Sequence, residues 1–140
     1  MNSTNLIIRN ILHTETYPIR REVLWPNSPP SFVVLEGDRE ALHFGGFLGD
    51  QLVCVCSIFI ENNSAQLRKF ATLQQFQCQG IGTQLMSHIF NQLLILKVSN
   101  IWCNAREDAL SFYRNFSMKE CGNCFYKHGI AYRKMSIDYG

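Results

Sequence analysis

Alternation of apolar and polar residues is clearest over residues 65–73, Ala-Gln-Leu-Arg-Lys-Phe-Ala-Thr-Leu, which reads as a half-buried β-strand. The period changes just downstream. Ile81, Leu85, Ile89 and Leu93 recur every fourth residue, with Met86, Phe90 and Leu94 beside them, which is one face of a long amphipathic helix. Leu6–Leu12 reads as an opening strand, and Pro18 stands at the first turn of a short helix running to Leu24. Residues 25–30, Trp-Pro-Asn-Ser-Pro-Pro, form a loop, because each proline biases its predecessor toward extended backbone. Ala41–Leu48 and Gln51–Ile60 flank Gly49-Asp50 as a hairpin, and Glu61–Ser64 turns into the next strand. A short strand at Asn100–Asn104, a helix within Arg106–Met118 and a hairpin, Met118–Lys127 and Ala131–Ile137 around His128-Gly129, follow. This order suits a mixed sheet with helices on both faces. No repeat, linker or low-complexity tract interrupts it, so residues 1–140 are expected to form a single domain.

The junction between the 65–73 strand and the long helix carries the chemistry. Gln77-x-x-Gly80-x-Gly82 places two glycines where a strand ends and a helix begins. Glycine lets the backbone approach a ligand closely, and the first N–H groups of a helix have no intrahelical partner. The combination is an anion cradle, and a pyrophosphate is its natural guest. The string Gly-x-x-x-x-Gly-Lys-Ser/Thr of a P-loop is absent, and the third glycine of a dinucleotide fingerprint is replaced by Leu85.

What remains resembles motif A of the GNAT N-acetyltransferase superfamily, Gln/Arg-x-x-Gly-x-Gly/Ala, with Gln77, Gly80 and Gly82 in its fixed positions. The later run is similar to that family's closing motif, Asn-x-x-Ala-x-x-Leu/Phe-Tyr-x-x-x-Gly-Phe, matched by Ala109, Phe112, Tyr113 and Phe116. Arg106 stands where the family often has Asn, and Ser117-Met118 replaces Gly-Phe. The resemblance covers roughly residues 40 to 137. It implies an α/β (α+β) fold: a mixed, mostly antiparallel central sheet of six to seven strands with a splayed parallel pair, flanked by three to four helices. It further implies that acetyl-CoA is the co-substrate. Its pyrophosphate would sit on Gln77, Cys78, Gln79, Gly80, Ile81, Gly82 and Thr83. Its pantetheine arm would lie in the splay against Phe70, Ala71 and Thr72, with Asn104, Arg106, Phe112 and Tyr113 completing the coenzyme site.

Acyl transfer from a thioester to an amine needs an oxyanion stabilised, an amine deprotonated and a thiolate protonated. Main-chain N–H groups of Phe70–Leu73 are the family's oxyanion donors. Tyr113 is the expected general acid, since a phenol of pKa about 10 suits a thiolate leaving group. For the base, His43 and Glu36, together with Glu61, lie near strand ends, and His43 has the most suitable intrinsic pKa, about 6.5. The expected acceptor is a small-molecule primary amine, with Arg20, Arg21 and Trp25 shaping its pocket. Two other readings stand beside this one. One is an acyl-CoA-binding sensor module without turnover. The other is a metal or redox protein built on Cys54, Cys56 and the Cys121-x-x-Cys124 pair.

Composition narrows the partners. Hydrophobic residues make up 46% and charged residues 17%, the balance of a globular chain. A net charge of +2 gives no argument for nucleic acid or an anionic membrane as partner. The first residues lack a signal-peptide pattern, and the apolar runs, Leu93–Leu96 among them, are far short of a span. A cytoplasmic location is expected, with six cysteines as thiols, no bound metal and homodimerisation in keeping with the family.

Overall fold

The computed structural model describes residues 5–139. The chain begins with β1 (Leu6–Asn10), a 3-10 turn (His13–Thr16), and α1 (Tyr17–Ile19), which widens into a π-helical turn (Arg20–Leu24). A 3-10 turn (Pro30–Val33) precedes three strands, β2 (Leu42–Leu48), β3 (Gln51–Glu61) and β4 (Ser64–Thr72). Then come α2 (Ile81–Ile95), β5 (Asn100–Arg106), α3 (Leu110–Arg114), β6 (Lys119–Lys127) and β7 (Ile130–Asp138). All seven strands join one sheet in the order β1-β2-β3-β4-β5-β7-β6. Among the described residues only β4 and β5 run parallel, joined through α2; every other neighbouring pair is antiparallel. The mixed, mostly antiparallel sheet with one parallel pair and three helices is the architecture expected from the sequence.

The core follows from burial on both faces. Val53 to Ile58 are all buried along β3. Successive side chains of a strand point to opposite faces, so both faces of the sheet are covered there. The long helix buries Ile81, Leu85, Met86, Ile89, Phe90 and Leu93, while Leu94 is 45% exposed. The periodicity explains this correction. An every-fourth-residue repeat drifts by about 40° per step on a 3.6-residue helix, so Leu94 rotates beyond the buried arc.

Two departures from regular sheet position the site. Val55 pairs with Ala71 and Ser57 with Arg68, so Lys69 and Phe70 together face Cys56 in a β-bulge. Lys69 takes the left-handed conformation there, with φ 55°. The second departure is the splay. Pairing of β4 with β5 runs from Ser64 and Asn100 to Leu67 and Cys103 and stops, although both strands continue. On their outer sides, β4 stays paired with β3 as far as Thr72 and β5 with β7 as far as Arg106. The inner edges alone part. Among the described residues, no helix is long and apolar enough to cross a membrane.

Candidate active site

The cradle begins where the chain leaves β4. Cys78 and Gly80 both have positive φ, 62° and 81°, and Gly80 caps α2. The Gln84 N–H donates to the Gly80 carbonyl at 3.1 Å, the first bond of the helix. Before it, the main-chain N–H groups of residues 78–83 donate to no acceptor among the described residues. Six free donors in succession at a helix N-terminus form a concavity for a strongly charged anion. The two glycines serve different needs. An added Cβ at Gly80 would meet nothing within 4 Å, so its requirement is conformational. At Gly82 the same atom would lie 2.8 Å from Phe70 Cζ, so its requirement is space. The side chain of Gln77 turns back and donates to the Thr72 carbonyl at 2.9 Å, tying the loop to β4.

From the cradle the open edge of β4 leads inward. The Leu73 N–H donates to the Val53 carbonyl of β3 at 2.9 Å. Alternation along the strand turns the main-chain groups of Thr72 and Phe70 the other way, into the splay. Phe112 does not line the gap itself. It stacks on Phe70, ring centres 5.3 Å apart, and so fixes the ring that packs on Gly82.

At the inner end lies a cavity of about 390 Å³, its floor formed by β4 and β5. Asn104, Arg106 and Tyr113 line it, and so do Leu24, Trp25, Phe32 and the β6–β7 hairpin residues Lys127, His128 and Tyr132. The Tyr113 hydroxyl makes no hydrogen bond within the described residues. Burial, with the buried thiols Cys103, Cys56 and Cys54 nearby, pushes its pKa well above the ordinary 10. It is therefore a fully protonated phenol with a free donor. Trp25 packs edge-on against Phe32 at 5.1 Å, and Phe32 against His128 at 5.6 Å, so an aromatic chain links the first helical segment to the last hairpin.

Sequence-expected base candidates fall elsewhere. His43 is buried and bonded through both ring nitrogens, to the Asp38 carbonyl at Nε2 and to Ser57 Oγ at Nδ1, each 2.7 Å. The carbonyl accepts only, so Nε2 carries the proton and Nδ1 accepts from the serine hydroxyl. Its lone pair is used, and it does not line the cavity. Glu36 is exposed in a turn outside the cavity, and Glu61 lies in a separate groove with Phe59 and Trp102. Arg20 is also not a pocket residue. It is fully buried, donating to both Asp38 carboxylate oxygens at 2.9 and 3.0 Å, to the Val33 carbonyl and to Ser57. Arg21 is exposed, and of the three only Trp25 reaches the cavity.

The cysteines divide likewise. Cys54 and Cys56 belong to β3 and Cys121 and Cys124 to β6, with β4, β5 and β7 between them in the sheet. Burial raises the Cys54 thiol to about 11, against the Thr72 hydroxyl that pulls it down, so this group is an inert small hydrophobe. The two pairs do not converge on one site.

An acetyltransferase (GNAT) domain model matches residues 35–139. The chain belongs to the GNAT acetyltransferase family. The uncharacterized N-acetyltransferase YitI of Bacillus subtilis (strain 168) is 28% identical over 134 residues, covering 89% of this chain and 90% of that protein. Two solved structures share the GNAT fold at low identity. The ribosomal-protein-S18-alanine N-acetyltransferase of Escherichia coli is 15% identical, with a TM-score of 0.82 over 95% of this chain and 93% of its own. A GNAT family acetyltransferase from Elizabethkingia anophelis, solved with acetyl-CoA bound, is 12% identical, with a TM-score of 0.77 over 98% and 100%.

Within this GNAT chain, Lys69 and Lys127 are site residues that sequence reasoning missed. A signal for Lys69 existed. It stands on the apolar phase of the 65–73 run, where Ala65, Leu67, Ala71 and Leu73 are all buried. A charge on the inward phase of a strand marks either a bulge or a site, and here it marks both. Lys127 lies in an exposed hairpin, and nothing in its local sequence sets it apart.

Proposed function

We propose that this GNAT protein is an acetyl-CoA-dependent N-acetyltransferase acting on the primary amine of a small molecule by direct attack on the thioester. One observation carries the reading: the six free N–H groups of residues 78–83 lead along the open edge of β4 to a cavity holding the unbonded Tyr113 hydroxyl. The cradle fits a diphosphate, and the main-chain groups of Phe70 with the Thr72 N–H, turned into the splay, fit the amides of a pantetheine arm as an added strand would. When bound, acetyl-CoA supplies the activated acyl group. The protein's part is to hold it, to offer the Phe70 and Thr72 N–H groups, the two of the Phe70–Leu73 run not turned to β3, to the developing oxyanion and to protonate the departing sulfur from Tyr113.

Among the described residues no carboxylate lines the cavity, so no acidic side chain there is positioned to take the proton from the amine. The positive charges there disfavour an ammonium and lower the pKa of the acceptor itself, so the free amine is delivered to the thioester with solvent taking the proton. Calorimetric titration with acetyl-CoA, followed by thiol release on addition of amines, tests the proposal. Micromolar binding and amine-dependent release are expected; absence of binding refutes it, and binding without release across a broad amine panel leaves a sensor module instead.

A further inference from the structure

The charge census of the cavity is one-sided. Arg68, Lys69, Arg106 and Lys127 all line it, and among the described residues no aspartate or glutamate does. None of the four takes part in an ion pair among the described residues, where the pairs are Arg20 with Asp38, His43 with Asp38, Arg114 with Glu120 and Arg133 with Glu107. Four unpaired cations around one small cavity repel one another, and that cost is retained only where something offsets it. Lys69 is the focus of the group. The bulge gives it the left-handed backbone of φ 55°, strained for a lysine, and turns it into the cavity with its Nζ 4.1 Å from the centre of the Trp25 ring. Burial first, then the charges of Arg68, Lys127, Arg20 and Arg106, lower its pKa to about 8. An anion beside it offsets both the burial of its charge and the repulsion from its neighbours.

The coenzyme's diphosphate does not need these cations, because the 78–83 main chain already supplies six donors for it. We infer that the acceptor amine carries a carboxylate or phosphate, and that Lys69, with Arg68, Arg106 and Lys127 around it, binds that anion. This rests on the transferase reading above and names its substrate class. The apolar walls, Trp25, Phe32 and Tyr132, take the body of the molecule, and a cavity of about 390 Å³ has the dimensions of a small metabolite. The anion fixes the orientation, and the amine, left without a carboxylate partner, faces the thioester uncharged.

Matched acceptor pairs test this: phenylalanine against phenylalaninamide for a carboxylate, phosphoethanolamine against ethanolamine for a phosphate. The pairs are compared by kcat/KM with acetyl-CoA saturating. The anionic member of at least one pair is expected to be better by about tenfold or more, and which pair responds identifies the anion. Lys69→Met should bring that ratio close to one through KM, with Lys127→Gln giving a smaller loss, while acetyl-CoA still raises the melting temperature of each variant. Equal or reversed preference within both pairs, or no turnover of either, overturns the inference. So does a Lys69→Met variant that loses acetyl-CoA binding instead, which assigns the cations to the coenzyme. Failure of the wild-type protein to bind acetyl-CoA at all defeats the transferase reading itself, a result distinct from binding without anion preference.

Discussion

Gly82 and Phe70 are matched across the start of α2: a Cβ on the glycine would sit 2.8 Å from the Phe70 Cζ, and that ring is held by its stack on Phe112. The ring cannot retreat without disturbing a second one. Gly82→Ala is therefore expected to cost about 1–3 kcal/mol in stability, the usual penalty of overpacking, and to weaken acetyl-CoA binding by shifting the cradle. Denaturant unfolding and calorimetry would measure both. A variant with unchanged stability and affinity would show that the contact is slack.

Tyr113→Phe removes one hydroxyl and no packing. The ring contact with Phe112, centres 5.2 Å apart, is retained. If the hydroxyl delivers the proton to the thiolate, kcat should fall by about a hundredfold or more, with acetyl-CoA affinity within about twofold of wild type. A kcat near that of the parent would remove Tyr113 from the chemistry.

Arg20 and Asp38 form a buried ion pair at 2.9 Å, 0% and 3% exposed. Replacing one member strands the other, so Asp38→Ala should cost about 3–5 kcal/mol. Arg20 Nε already lacks a partner, which leaves the guanidinium little further tolerance. Chemical denaturation gives the figure. A loss under about 1 kcal/mol would mean that water reaches the charge.

His43 makes stability depend on pH. Burial lowers its pKa below the ordinary 6.5; the Asp38 carbonyl and carboxylate pull it up, while Arg20 and His13 push it down. The unfolded chain binds a proton near pH 6.5 and the folded chain resists it. The stabilisation is thus complete above 6.5 and is lost as pH falls through the lower folded value. The melting temperature should drop between about pH 7.5 and about pH 5, and His43→Gln should flatten that slope. Asp38, whose carboxyl is raised by burial but lowered more by Arg20 and the Leu35 N–H, titrates below 3.8 and leaves this window to His43.

The free inner edge of β4 gives a readout that needs no turnover. Saturating acetyl-CoA should slow amide exchange at Phe70, Thr72 and residues 78–83, while Ala71 and Leu73, already paired to β3, change little. Uniform slowing along β4 would indicate general stabilisation and not a ligand lying in the splay.

Much of this was legible in the sequence because it is local. Two glycines between a period-two run and a period-four run mark the cradle, and Tyr113, picked out by its motif, lines the cavity. His43 and Glu36 were misjudged for a nonlocal reason. Whether a histidine at a strand end meets solvent or a serine on the next strand depends on register, and the pairing of His43 with Ser57 is not written in either segment alone. Arg20 reads from the sequence as a residue of the acceptor pocket because its partner, Asp38, lies 18 residues away. The bulge left a trace, since Lys69 stands on the apolar phase and Phe70 on the polar one, but a single break in a nine-residue run is not enough to separate a bulge from an ordinary exception.

Parting β4 from β5 beyond Leu67 and Cys103 also settles where the sheet keeps its unsatisfied hydrogen-bonding capacity. Most sheets leave such capacity at the rim, where any passing polypeptide can zip onto it. Here, besides the outer edges of β1 and β6, a share of it is folded inward, facing itself across a wedge closed at one end. A slender thread can enter lengthwise; a broad ribbon from another chain meets a dead end. The shape of the gap therefore favours a slender extended ligand over the edge strand of another chain.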